Sequence, residues 1–327
     1  MNPQVSIVIV CMNRMDNLRP CLDSIRKYTS VSYETFVVAY LFKEDNLKAL
    51  REEYPWVKVI ESDEIRGFSE NNNLALRHVT GEYTFIVNDD TYIESPVIDA
   101  LLGDFSKLPD DAAVVSPDIR YPDGRAQMCG RGRLNGWTYI KSYYHMLDET
   151  RKGRYSGKEG LFKTFNLSGA AFMIKTDVFR NLGWFDETYF FTPEDIALST
   201  LLNKKGLGVY VDGDLRLYHI ASASSSSMEA AIKPARVRGS LIFYSNLRGL
   251  CNPQGIKVGN PIVYFSLGLF IMAFEFFRGI KYLFKDTSDS HGNNNVMALT
   301  AKNVRRCIFT AKTPKEIFIR YYGEFKK

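Results

Sequence analysis

Cysteine is scarce in this chain and has no pattern. Cys11, Cys21, Cys129, Cys251 and Cys307 are odd in number, scattered and free of C-x-x-C spacing. That argues against both a disulfide framework and a zinc site. A signal-peptide layout is missing too, because the N-terminus runs into a strand-like segment within a few residues. A reducing, cytoplasmic location is therefore expected. Ile262–Phe274 is thirteen uncharged, mostly apolar residues, short of the ~20 that a membrane-spanning helix needs. No fixed-period repeat occurs, and low complexity is confined to a serine-rich stretch around Ser224–Ser227. What is present is a body able to bury a core: 327 residues, 45% hydrophobic and 24% charged. Such a chain holds one large α/β domain with an appendage, or two domains.

Charge is unevenly spread. The net charge is +5, yet residues 276–327 carry eleven Lys and Arg against four Asp and Glu, leaving the body nearly neutral. A basic tail implies an anionic partner. Its place directly after the apolar Ile262–Phe274 favours an anionic membrane surface, with an interfacial helix, over nucleic acid. A core helix of a small C-terminal domain explains the apolar run but not the basic neighbour.

Val5–Val10 (VSIVIV) is a β-branched, continuously apolar run, the mark of a strand buried on both faces. Leu18, Leu22 and Ile25 then recur at helical spacing over Asp16–Thr29. Phe36–Leu41, Val57–Ile60, Tyr83–Val87 and Ala113–Ser116 read as further strands, with helices through Arg51 and over Glu70–His78. Strands alternating with helices imply a parallel sheet built from right-handed crossovers. The segment from Ile119 to Phe165 is irregular and rich in Gly, Arg and Tyr, a length usually reserved for functional loops. Order returns at Leu167–Ile174, in helices near Thr176–Leu182 and over Pro193–Lys205, and in a strand at Gly208–Asp212.

The triplet Asn88-Asp89-Asp90 closes the run Tyr83–Val87. Ligands of open α/β sheets bind outside the carboxyl ends of strands. Paired carboxylates there suit a hard divalent cation that shares its oxygens with substrate phosphates. Asn-Asp-Asp is equally ordinary turn chemistry, so the triplet gains meaning from its company.

That company resembles a family 2 glycosyltransferase, in the style of bacterial rhamnosyl- and galactofuranosyltransferase-like members. VSIVIVCMNR resembles the family's opening strand and nucleotide-binding turn, GFSENNNLAL (Gly67–Leu76) its glycine-phenylalanine-asparagine motif, and NDD its metal-binding carboxylates. SGAAFMIK (Ser168–Lys175) and FDETYFFTPEDIALSTLLNKKG (Phe185–Gly206) resemble its acceptor half with a Glu-Asp pair. These pieces run in family order over Val5 to His219, about two-thirds of the chain. The second strand departs from the pattern: AYLFKEDN (Ala39–Asn46) stands where an Asp-Gly-Ser-like turn is common. Asp45 is the candidate to replace that acid.

The resemblance implies a GT-A fold, an α/β, Rossmann-like, mostly parallel sheet flanked by helices. It implies a catalytic domain over residues 1–225, with a nucleotide-sugar half (1–118) and an acceptor half (119–225). Residues 226–327 are then a helical, membrane-associating extension. Also implied is an inverting, Mn²⁺- or Mg²⁺-dependent transfer from a UDP- or dTDP-linked sugar to a glycan or lipid-linked acceptor; the apolar-then-basic tail adds a peripheral place on the inner face of the cell membrane. Asp90, His219 and Asp89 are the expected metal ligands, with Asp89 also near the donor ribose and sugar. Asp195 is the expected base, and Glu194 orients acceptor or sugar. Asn13, Arg14, Arg66, Asn72 and Asn73 are expected around the nucleotide and diphosphate. For Glu194 and Asp195 plain helix-opening chemistry after Pro193 is the competing explanation, as capping is for the asparagines. Arg125, Arg131 and Arg133 could meet an acceptor pyrophosphate, although loop arginines more commonly face water. Two other functions compete. A nucleotidyltransferase is disfavoured by the glycine-free turn CMNRMDNL, and a degenerate scaffold subunit by the joint presence of the five acidic and histidine positions.

Overall fold

The computed structural model describes residues 3–127, 129–133, 135–144, 158–220, 228–245, 260–283 and 291–325. The chain divides into two compact units. The first comprises Met1–Arg133, Leu147–Phe185 and Asp195–Ala221, and the second Leu134–Met146, Asp186–Glu194 and Ser222–Lys327.

The first unit opens with β1 (Val5–Cys11), α1 (Met15–Tyr28), β2 (Tyr33–Tyr40), α2 (Glu44–Glu53), β3 (Val57–Ser62), α3 (Phe68–Leu76) and β4 (Tyr83–Asn88). It continues through β5 (Thr91–Ile93), α4 (Val97–Asp104), β6 (Ala112–Arg120) and β7 (Gly130–Arg131). After α5 (Gly136–Tyr143), which belongs to the second unit, come β8 (Leu161–Thr164), β9 (Asn166–Leu167), β10 (Ala171–Lys175) and α6 (Thr176–Asn181). Then α7 (Glu194–Lys204) precedes β11 (Gly208–His219). The main sheet has the order β3-β2-β1-β4-β10-β6-β11-β5, with β8 on β11.

Strands β3, β2, β1 and β4 are parallel, as the alternating pattern predicts. Beyond β4 the sheet is mixed, because β10 lies antiparallel to both β4 and β6. It returns from the long excursion after β6 rather than through a crossover helix; β6 and β11 pair in parallel again, while β5 and β8 lie antiparallel to β11.

Successive side chains of β1 serve opposite faces of the sheet. Val5, Ile7 and Ile9 pack in one core with Leu18 and Leu22 of α1, and Val8 in the other with Leu76 of α3. Both faces being covered is why VSIVIV is continuously apolar instead of alternating. Strand order reverses between β1 and β4, whose ends align through Val10 and Asn88. That is the switch point at which open α/β sheets leave a crevice. Cys11, Cys21, Cys129 and Cys307 are buried free thiols.

The second unit is helical, with α5, α8 (Glu229–Ser245), α9 (Pro261–Leu283), α10 (His291–Cys307) and α11 (Pro314–Phe325). Its core takes the aromatic string Tyr189-Phe190-Phe191: Tyr189 meets Phe243, and Phe190 and Phe191 both meet Phe318. Helix α9 is longer than the thirteen-residue run suggests. Among the described residues it is the one helix apolar and long enough to cross a membrane, over Pro261–Tyr282. Its buried side carries Tyr264, Leu267, Ile271 and Glu275, whereas Ile262, Phe265, Leu269, Phe276, Phe277 and Ile280 are exposed. Apolar residues on both the buried and the outward side depart from the usual amphipathic helix pattern. The serine-rich stretch and the expected boundary at 225 fall outside the described residues.

Candidate active site

The site forms at the carboxyl ends of β1 and β4. Asn13 adopts a left-handed backbone, φ 54°, which Asn tolerates better than most residues. Its Oδ1 accepts the Lys43 N–H at 2.8 Å and the Asn46 Nδ2–H at 2.9 Å. Asn13 thus ties the turn after β1 to the departing AYLFKEDN segment, where α2 begins in place of a glycine turn.

Asp90 and His219 are brought together by strand pairing. His219 of β11 sits opposite Thr91 of β5, and the Ile220 N–H donates to the Asp90 carbonyl at 2.9 Å. Tyr92 and Tyr218 stack at 5.0 Å on the same pair of strands. His219 Nε2 then lies 3.1 Å from Asp90 Oδ1, with Asn88 Nδ2 3.4 Å from the same nitrogen.

Gln127 fixes the imidazole. Its Nε2 donates to the His219 carbonyl at 2.6 Å, so its Oε1 must be the acceptor that faces His219 Nδ1 at 2.8 Å. Nδ1 therefore carries a proton, and a neutral ring turns the Nε2 lone pair towards a carboxylate.

The donor set, one carboxylate oxygen and one imidazole nitrogen, fits a divalent ion. No group of three His, Cys, Asp or Glu side chains is assembled for a metal among the described residues. Asp90 and His219 would hold such an ion, which would supply charge neutralisation for a bound diphosphate.

Asp89 lies beside this pair against Cys11. Burial pushes its carboxyl up to about 6; the Cys11 hydrogen bond and Arg14 pull it down, while the Asp90 charge adds to the rise. Burial, and then the Asp89 charge, push the Cys11 thiol far up, so it acts as a neutral donor.

Asp195 reaches the same sheet end through the backbone. The Asn88 N–H donates to the Ala170 carbonyl at 3.0 Å, and next to it the Gly169 N–H donates to Asp195 Oδ2 at 3.3 Å. A Cβ on Gly169 would stand 3.5 Å from the Asp195 Cβ, so this approach is close. Arg131 Nη2 binds Asp195 Oδ2 at 3.1 Å and the Leu167 carbonyl at 3.4 Å. Glu194, partly exposed, opens α7 and falls in the second unit.

Other predicted residues turn elsewhere. Asn73 is buried and clamps the Phe185 backbone, donating to its carbonyl at 2.9 Å and accepting its N–H at 3.1 Å. Asn72, also buried, donates to the Phe68 carbonyl at 2.9 Å. Both serve α3 and its anchoring. Arg66 contacts Ser62 Oγ at 3.1 Å and Glu64 at 2.7 Å. Arg125 pairs with Asp123 and Arg133 lies over Phe165. Gln127 was not foreseen; its signal is its place beside Arg131 in YPDGRAQMCGRGR, the segment that returns across the end of β11.

Residues 6–183 match the Glycosyl transferase family 2 model. The chain is 25% identical over 265 residues to the O-antigen biosynthesis protein RfbC of Myxococcus xanthus, covering 79% of this chain and 20% of that protein. It is 30% identical over 150 residues to the N-acetylglucosaminyl-diphospho-decaprenol L-rhamnosyltransferase of Mycobacterium tuberculosis, covering 44% of this chain and 48% of the relative. The chain thus matches about a fifth and about half the length of these two proteins. In fold it is similar to GalNAc-T7, solved with UDP, GalNAc and Mn²⁺: TM-score 0.54, 17% identity, 78% of this chain and 53% of that one. The architecture is therefore GT-A-like. The strand order, the carboxylates at the switch point and a family match over more than half of the sequence make this chain a member of glycosyl transferase family 2.

Proposed function

We propose that the chain moves one sugar from a nucleoside-diphosphate sugar, UDP- or dTDP-linked, to a hydroxyl of a lipid-linked glycan, with inversion, in surface polysaccharide synthesis. The observation that carries this reading is the gathering of Asp90–His219 and the Arg131-held Asp195 around the ends of β4 and β10. The names of the two relatives, an O-antigen biosynthesis protein and a transferase for a decaprenol-linked sugar, support the acceptor class.

In this reading Asp195 takes the acceptor hydroxyl's proton as that oxygen attacks C1 of the donor sugar, opposite the leaving diphosphate. Arg131 and the Gly169 N–H hold the carboxylate in place. Asp90 and His219 hold a Mn²⁺ or Mg²⁺ ion, which supplies Lewis-acid stabilisation of the diphosphate. Asp89 faces donor ribose and sugar, Asn13, Arg14 and Arg66 border the nucleotide, and Glu194 orients acceptor or sugar. Asn72 and Asn73 drop out of donor contact, since their amides serve the backbone.

Helix α9 lies along the inner membrane face. Its exposed Ile262, Phe265, Leu269, Phe276 and Ile280 enter the interface, and the Lys- and Arg-rich C-terminal region meets anionic headgroups. The test is release of nucleoside diphosphate from UDP- and dTDP-sugars in the presence of a lipid-linked acceptor, with product anomers assigned by NMR. Inversion is expected; a retained anomer contradicts the single-base reading, and no turnover with any donor returns the chain to a scaffold.

A further inference from the structure

The second unit contains a cavity of about 790 Å³ whose lining mixes cations with aromatic carbon. Lys233 and Arg236 come from α8, and Arg278 and Lys281 from α9, while Phe274, Phe277 and Tyr282 supply apolar wall. Glu275 lies beneath, fully buried, and organises the basic side chains. It accepts from Lys233 Nζ at 3.2 Å and Tyr144 Oη at 2.8 Å, and pairs with Arg278 Nε at 2.9 Å. Arg305 Nη1 is fixed on its main-chain carbonyl at 2.9 Å.

Among the described residues four basic side chains at the wall face two carboxylates, Glu229 and Glu275, an excess of positive charge. Arg278 Nη2 is buried and meets no hydrogen-bond acceptor among the described residues. Burial, opposed by Glu275 and reinforced by Arg278, pushes Lys233 down to about 8. Lys233 and Arg278, held out of water in this way, are costly without an anion.

The wall also has direction. Phe277 lines the cavity and is 70% exposed on the outward apolar face of α9. A phosphate in the cavity could therefore continue directly into an apolar chain lying along Phe276 and Ile280. Neither a bare anion nor a neutral lipid uses both halves.

We infer that this cavity is a binding site for a phosphate-bearing lipid, its phosphate on Lys233, Arg236, Arg278 and Lys281 and its apolar chain against Phe277 and the exposed face of α9. The inference deepens the acceptor side of the proposed function and rests on it for the lipid's role as acceptor. The cavity itself stands on its own geometry.

The test titrates the full 327-residue chain with farnesyl phosphate, farnesol and inorganic phosphate, and nucleoside diphosphate with Mn²⁺ on the same samples. Farnesyl phosphate is expected to bind at least about tenfold more tightly than either other probe. Lys281→Glu and Phe277→Asp alter exposed side chains and should leave folding intact. Each should weaken farnesyl phosphate about tenfold, with nucleotide affinity unchanged. Farnesol binding as tightly as farnesyl phosphate, or an unaffected Lys281→Glu, overturns the site. Inorganic phosphate binding as tightly as farnesyl phosphate assigns the cavity to free phosphate and overturns the lipid. Nucleotide binding without farnesyl phosphate binding removes this inference alone; farnesyl phosphate binding without any nucleotide binding removes the transfer reading alone.

Discussion

Arg131 Nη2 stands 3.1 Å from Asp195 Oδ2 and, through the same nitrogen, reaches the Leu167 carbonyl. The guanidinium is only 18% exposed and the carboxylate 13%, so the pair is better shielded than a surface bridge. Such an arginine orients the carboxylate.

Two variants separate the roles in this pair. Asp195→Asn should lower kcat by roughly 10²–10⁴-fold with the nucleotide Kd unchanged, as expected for loss of a base. Arg131→Ala should also lower kcat, by less, since it acts through Asp195. Turnover kinetics beside nucleotide titrations check this, and a wild-type kcat in Asp195→Asn removes that residue from the mechanism.

At the other carboxylate, Gln127 provides a test of orientation without touching the cation. Gln127→Ala releases His219 Nδ1 and should weaken Mn²⁺ affinity by about 10–100-fold, the usual effect of losing a partner behind a ligand. Asp90→Asn should weaken it further. A Mn²⁺ titration with nucleoside diphosphate present reads both, and equal affinities across the three proteins exclude a cation between Asp90 and His219.

Much of this was legible in the residues. The apolar runs gave β1 to β4 within a few residues, because a strand covered on both faces must be apolar throughout. The order of Asp90 and His219 suggested a shared site, and the pairing of β5 with β11 brings their side chains within 3.1 Å. For Asn72 and Asn73 the sequence offered two uses, since an amide suited to a diphosphate is equally suited to the backbone of Phe68 or Phe185. Gln127 and the Arg131–Asp195 pair were hidden, since nothing local says where a chain returns after a forty-residue excursion. The outward apolar face of α9 was obscured by Glu275, which reads as the end of a run and is in fact the buried centre of an ion cluster.

Asp104, at the end of α4, should make stability depend on pH. Burial pushes its carboxyl up to about 6; Lys107 opposes the rise and the neighbouring Asp212 adds to it. The folded form holds the proton more tightly than the unfolded form, so this contribution is complete below the ordinary value of 3.8 and is lost as pH rises through about 6. Asp104→Asn should therefore gain stability relative to wild type between pH 5 and pH 7, by ~1–2 kcal/mol. Denaturant unfolding at both values measures it, and a difference independent of pH contradicts the assignment.

Gly81 closes the turn before β4. Its N–H donates to Ser6 Oγ at 2.8 Å, and a Cβ there would come within 2.6 Å of the Ser6 backbone nitrogen. Since backbone must move to admit it, Gly81→Ala should cost ~1–3 kcal/mol. An unchanged denaturation midpoint would show that the β1–β4 ends relax more freely than their register suggests.

The most direct measurement is a thermal-shift panel of UDP, dTDP, GDP and CDP, each with Mn²⁺ or with EDTA, on wild type and His219→Ala. A ligand bound only by the native state raises its melting temperature by mass action. UDP or dTDP should stabilise wild type when Mn²⁺ is present, with the shift reduced by EDTA and by His219→Ala. A nucleotide shift that is the same with EDTA, or the same in His219→Ala, would contradict a cation held between Asp90 and His219.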